Sequence, residues 1–137
     1  RLFMLKIIIR GLVCAVFFFG GVAHFVFAED FVGIVPPLLP WPLAIVWATG
    51  IMEFGLVLGI LMPKWRVITG KLAAIYCLLV LPANIYQAMN DVPIFGAQVT
   101  PELLFLRIPL QFVLIAAILW STNDSDRRVI QKSTGAV

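Results

Sequence analysis

The sequence predicts an all-α protein, a bundle of four transmembrane helices. Three observations carry that prediction. Hydrophobic residues make up 62% of the chain and charged residues 12%, against roughly 45–50% and about 25% in a soluble chain, so too few polar side chains are present to cover a water-facing surface. The apolar residues fall into four runs, each near the ~20 residues that a helix needs to cross a bilayer. Prolines fall at several of the run boundaries. Inside hydrocarbon each backbone N–H and C=O must be bonded within the protein, so the runs are expected to be helices. With 137 residues the chain is one domain. Residues 1–121 are assigned to the transmembrane domain and 122–137 to a short polar tail.

The first span is expected at residues 7–27. Lys6 and Arg10, the apolar run and then Val26-Phe27-Ala28 resemble a signal peptide with its cleavage site. The run is long for that and carries His24, so a retained span is the preferred reading. The chain opens on Arg1 rather than Met, and a few residues are expected to precede it in the natural protein. Pro36, Pro37, Pro40 and Pro42 stiffen the loop that follows. Pro42 sits at the start of the second span, expected at residues 42–62, where proline is well tolerated, and Pro63 ends that span. The third span is expected at residues 72–88. The fourth is expected at 102–120, opened by Thr100-Pro101-Glu102: an N-cap, a first-turn proline and a carboxylate at the positive end of the helix dipole. Pro82 and Pro109 lie inside spans three and four and should free carbonyls one turn earlier.

Nine of the ten basic residues fall on one side of this arrangement. They are Arg1, Lys6 and Arg10, then Lys64, Arg66 and Lys71 between spans two and three, then Arg127, Arg128 and Lys132. Glu29, Asp30, Asp91 and Glu102 fall on the other. The positive-inside rule places both termini and the middle loop in the cytoplasm. Trp41 is expected at the outer interface, and Trp65 and Trp120 at the inner one. The basic residues are not interleaved with aromatics, so no nucleic-acid partner is expected. Cys14 and Cys77 lie far apart in apolar runs with no CxxC or Cys/His spacing, so neither a metal site nor a dithiol is expected. No soluble catalytic domain is visible.

The tenth basic residue, Arg107, lies inside span four. A charge there costs at least ~2.5–3.5 kcal/mol at the bilayer centre and is expected to face the bundle interior. Each span carries polar company: His24 in the first, Glu53 in the second, Asn84 with Tyr86 and Gln87 in the third, Arg107 and Gln111 in the fourth. At ~1.5 Å per residue, His24, Asn84 and Arg107 fall in the outer half of the membrane, and Glu53 and Gln111 nearer its middle. The five residues His24, Glu53, Asn84, Arg107 and Gln111 could therefore line one cavity that opens outward, with Glu53 at its floor. Arg107, Gln111, Leu114 and Ile118 share one helix face, and Cys77 and Asn84 share another. Two readings stay open: Glu53 and Arg107 form a buried ion pair that fixes the bundle, or the cluster is a ligand or proton site. Gly55 and Gly59 form a GxxxG pair that offers a smooth face for close helix approach, within the bundle or toward a second protomer.

The segments Gly21-Val-Ala-His24-Phe25, Ile34-Val-Pro-Pro37, Leu39-Pro-Trp-Pro42, Gly50-Ile-Met-Glu53, Pro82-Ala-Asn84-Ile-Tyr86 and Arg107-Ile-Pro-Leu-Gln111 together resemble the DoxX family of small bacterial membrane proteins. The resemblance runs from about Gly11 to Trp120. It implies a four-helix membrane protein, similar to the membrane subunit of thiosulfate:quinone oxidoreductase or to proteins that accompany redox and detoxification systems. It also implies that His24, Glu53, Asn84, Arg107 and Gln111 are the family's motif residues.

Three functions follow as expectations. The first is a membrane subunit of a redox system, holding a quinone-like or other lipophilic ligand. It would have no intrinsic cofactor and would take electrons from a membrane or redox protein partner, so enzyme activity would belong to the assembly. The second is a structural subunit of a larger complex, which predicts a closed and fully paired polar cluster. The third is a small transporter, for which four helices are few unless the chain forms a homo-oligomer.

Overall fold

The structure is a computed structural model that describes residues 1–90, 92, 100–123, 131, 132, 134 and 135. Asp91, Arg127 and Arg128 and most of the expected tail lie outside the described residues. Among the described residues, four long helices are each apolar and long enough to cross a membrane: α1 (Leu2–Val26), α3 (Pro42–Leu61), α4 (Arg66–Met89) and α5 (Pro101–Thr122). A five-residue helix, α2 (Ala28–Val32), follows α1. Composition had suggested only a loop there. Glu29 and Asp30 occupy the first turn of α2, where the helix dipole favours carboxylates.

Helices α1 and α4 begin five and six residues before the apolar runs that mark their spans. The extra turns carry Lys6 in α1 and Arg66 and Lys71 in α4. Hydropathy registers only the part of a helix that lies in hydrocarbon, whereas helical hydrogen bonding continues into the interface. Helix α3 starts at Pro42, behind Trp41 with φ 51°. Proline disfavours right-handed α geometry in the residue before it, and Trp41 turns the chain through the left-handed region instead. Helix α5 begins at Pro101 with Thr100 as N-cap, as its spacing implied, although the Thr100 side chain makes no capping bond.

The helices pack as a ring in the order α1, α3, α4, α5, with α5 closing against α1. Their outer surface is apolar. Leu72, Ile75 and Leu79 on α4 and Leu106, Leu110 and Val113 on α5 all stay exposed, and only 11% of the most apolar stretch of α5 is buried. Such a surface is suited to lipid rather than water.

Inside, the bundle divides along its length. Toward the start of α1 and the end of α5 lies a close-packed core of Val13, Cys14, Phe17, Leu56, Ile60, Ala73, Tyr76, Cys77 and Ile118. Small residues bring helices together at this end. A Cβ on Gly59 would run into Thr69 Oγ1, and one on Gly70 would run into Thr122 Oγ1. Gly55 has open space around it, so the GxxxG sequence does not act as a pair within the bundle: Gly59 seats α4 and Gly55 looks outward. Three basic side chains close this end. Arg10 Nε donates to the Ser121 carbonyl at 3.0 Å, Arg66 Nε donates to the Ile60 carbonyl at 2.8 Å, and Lys6 Nζ donates to Asn123 Oδ1. The last turns of α3 and α5 carry carbonyls without helical partners, and the arginines supply donors for two of them.

Candidate functional site

The other half of the bundle holds a cavity of about 490 Å³. Its walls are mostly aliphatic and aromatic, from all four long helices. Phe27, Phe31, Ile34 and Val35, from α2 and its flanks, line its loop end. All five residues singled out in the sequence, His24, Glu53, Asn84, Arg107 and Gln111, line this one cavity. Tyr86 does not. Glu53 lies in the deepest layer with Tyr76, Cys77 and Leu114, each about three turns from the loop end of its helix at 3.6 residues per turn.

The crossing of α1 and α3 positions the acid–base pair. Gly21 and Gly50 face each other there: a Cβ on Gly21 would sit 3.2 Å from the Gly50 carbonyl oxygen, and one on Gly50 would sit 2.8 Å from His24 Cβ. Because neither has a side chain, the two backbones approach closely enough for the His24 ring to lie along α3. Its Nδ1 is 2.9 Å from the Val46 carbonyl oxygen and 3.0 Å from Thr49 Oγ1. Its Nε2 is 3.0 Å from Glu53 Oε2. The ring also stacks on Phe31, with centroids 4.2 Å apart. The Nε2 contact has ion-pair distance but lacks the alignment of a hydrogen bond, and the buried Oε2 has no hydrogen-bond partner.

The partner of Glu53 is therefore His24, and the Glu53–Arg107 ion pair considered from sequence does not form. Arg107 donates through Nη1 to Gln87 Oε1 instead. The reason is helix order: α3 and α5 are not neighbours in the ring, whereas α3 lies against α1, and α5 against α4. Gln111 Nε2 donates to the Cys77 carbonyl at 3.0 Å. That carbonyl lies next to Leu78, whose own carbonyl loses its helical donor because Pro82 has no N–H. Asn84 is buried, yet its amide makes no hydrogen bond among the described residues.

Two polar lining residues were not singled out from the sequence, Thr49 and Tyr76. Thr49 sits one turn before Glu53 on the same face of α3, and i, i+4 spacing from a buried carboxylate was the available signal. Tyr76 precedes Cys77, and nothing local distinguishes it from a core aromatic. Among the described residues, no group of three or more His, Cys, Asp or Glu side chains converges on a point.

A family model described as a domain of unknown function, DUF8561, matches residues 13–122. The chain belongs to that family. The match takes in all of the cavity's lining residues, from Val16 to Leu114. No characterised protein and no solved structure matches the chain.

Proposed function

We propose that this DUF8561 protein is a membrane-embedded subunit of a redox system and that its cavity takes a quinone-like or other lipophilic, oxygen-bearing molecule. The observation that carries the reading is the convergence of seven polar residues, His24, Thr49, Glu53, Tyr76, Asn84, Arg107 and Gln111, from the four long helices, on one cavity whose walls are otherwise mostly apolar. Its volume falls within the ~300–1,000 Å³ usual for small-molecule sites. The resemblance to the DoxX family argues in the same direction.

The residues divide by chemistry. Arg107, Asn84 and Gln111 hold ligand oxygens. His24 and Glu53 handle protons, since quinone reduction consumes protons at carbonyl oxygens within hydrogen-bond reach of a donor. Electrons arrive from a partner protein. The basic residues at the Lys6, Arg10 and Arg66 end support the reading in which that end and both termini face the cytoplasm, in the inner membrane of a bacterium.

A structural subunit would want this cluster closed and paired. Among the described residues Asn84 has no hydrogen bond, and Glu53 Oε2 meets His24 Nε2 at ion-pair distance without an aligned hydrogen bond, which favours a ligand site over a packing device. Gentle purification in detergent, solvent extraction and mass spectrometry test the proposal. The expected result is a stoichiometric quinone. Its consistent absence, with no change in thermal stability on adding quinone, overturns the reading.

A further inference from the structure

We infer that the cavity takes its ligand as a monoanion, an ionised oxygen on an apolar body, with the charge held at Arg107. The inference rests on the cavity being the binding site proposed above and specifies the charge state of what it takes.

His24 Nδ1 lies 2.9 Å from the Val46 carbonyl oxygen. A carbonyl only accepts hydrogen bonds, so Nδ1 carries a proton. The Thr49 hydroxyl beside it is also 2.9 Å from the Ile45 and Val46 carbonyl oxygens. Its single proton goes to a carbonyl and its lone pair faces the ring. Across the ring, Nε2 lies 3.0 Å from Glu53 Oε2. Two bare lone pairs at that range repel, so one more proton resides on Nε2 or on the carboxyl. The pair is then either imidazolium beside carboxylate or neutral imidazole beside carboxylic acid. Its net charge is zero in both forms.

Arg107 is a guanidinium in every state the protein visits. Among the described residues it makes one hydrogen bond, to the neutral amide of Gln87, and no ion pair. Among the described lining residues Glu53 is the one carboxylate, and His24 already offsets its charge. The described part of the cavity wall therefore carries one uncompensated positive charge inside a span, where ionisable groups ordinarily find a counter-charge. A neutral ligand leaves that charge as it is, whereas an anionic oxygen offsets it. Asn84, on the neighbouring helix, contributes to the same oxygen an amide that has no hydrogen bond among the described residues.

The test compares two naphthoquinones of nearly equal shape by isothermal titration calorimetry on the detergent-solubilised protein. Menadione is neutral. Lawsone bears a hydroxyl in place of the methyl and is ionised at neutral pH. Lawsone is expected to bind roughly tenfold tighter, the difference between a charged and a neutral hydrogen-bond acceptor. Arg107→Gln should erase the preference and Arg107→Lys should keep it. Acidifying the unmodified protein's buffer until lawsone is protonated should erase it as well, without any variant. Equal affinities at neutral pH overturn the monoanion inference and leave the quinone-like reading in place. Binding of dodecanoate, with neither naphthoquinone bound, supports the monoanion inference and removes the quinone-like reading. Failure of all three probes overturns both.

Discussion

In the half of the bundle where α1 begins and α5 ends, polar side chains are committed to the protein. Lys6, Arg10 and Arg66 bond to helix ends, and Gly59 and Gly70 admit Thr69 and Thr122 at close range. In the half where α1 ends and α5 begins, comparable groups face a cavity. Among the described residues Asn84 has no hydrogen bond, Glu53 Oε2 meets His24 Nε2 without an aligned one, and Arg107 has a single amide oxygen. Both halves are cut from the same four helices and are bathed by the same lipid. The difference between them is therefore in how side chains are allotted rather than in composition. One half is assembled for stability, and the other keeps donors and acceptors open where stability alone would pair them or replace them with apolar residues.

The sharpest way to break that comparison is to overfill the closed half. Gly70→Ala places a methyl against Thr122 and should force α4 and α5 apart, lowering stability by about 1–3 kcal/mol in mixed-micelle unfolding. Gly55→Ala is its control: nothing lies within 4 Å of the added carbon, and the change should stay within about 0.5 kcal/mol. If the two substitutions behave alike, the closed half is not close-packed.

A smaller effect distinguishes the pairings in the open half. A double-mutant cycle of His24→Phe with Glu53→Gln should show a coupling of about 0.5–3 kcal/mol, because the two side chains touch. The cycle of Glu53→Gln with Arg107→Gln should be additive within about 0.5 kcal/mol. Coupling in the second cycle and none in the first would restore the ion pair read from sequence.

The smallest expected stability effect is the most informative about function. Asn84→Leu removes no hydrogen bond and should leave stability within about 0.5 kcal/mol of the parent, or raise it. It should still weaken binding of a quinone measured by calorimetry. A marked loss of stability would mean that Asn84 belongs to the packing and that the open half is less open than described.

Much of the site was legible because membranes make polar residues conspicuous. His24, Glu53, Asn84, Arg107 and Gln111 stood out only because their surroundings are apolar, and depth by residue count set them at compatible levels. Thr49 and Tyr76 were harder to see. Threonine bonds its own helix backbone, as Thr49 does toward Ile45 and Val46, so it costs little in a span and carries little signal. Helix α2 was hidden by its brevity, since five residues are too few to display a hydrophobic period.

The sequence alone determined that the chain forms four helices apolar and long enough to cross a membrane, and which side chains are too polar for lipid. Those properties depend on the thickness of hydrocarbon and the cost of unbonded polar groups, and both act on each segment separately. Only the tertiary structure decided who pairs with whom. Glu53 could meet His24 or Arg107 until the close contact of Gly21 with Gly50 set α1 against α3 and the ring order kept α5 away. Gly59 could serve an outer interface or an inner one until Thr69 filled the space above it. Partner choice depends on helix order, rotation and distance of approach, and these are properties of pairs of segments that no single segment encodes.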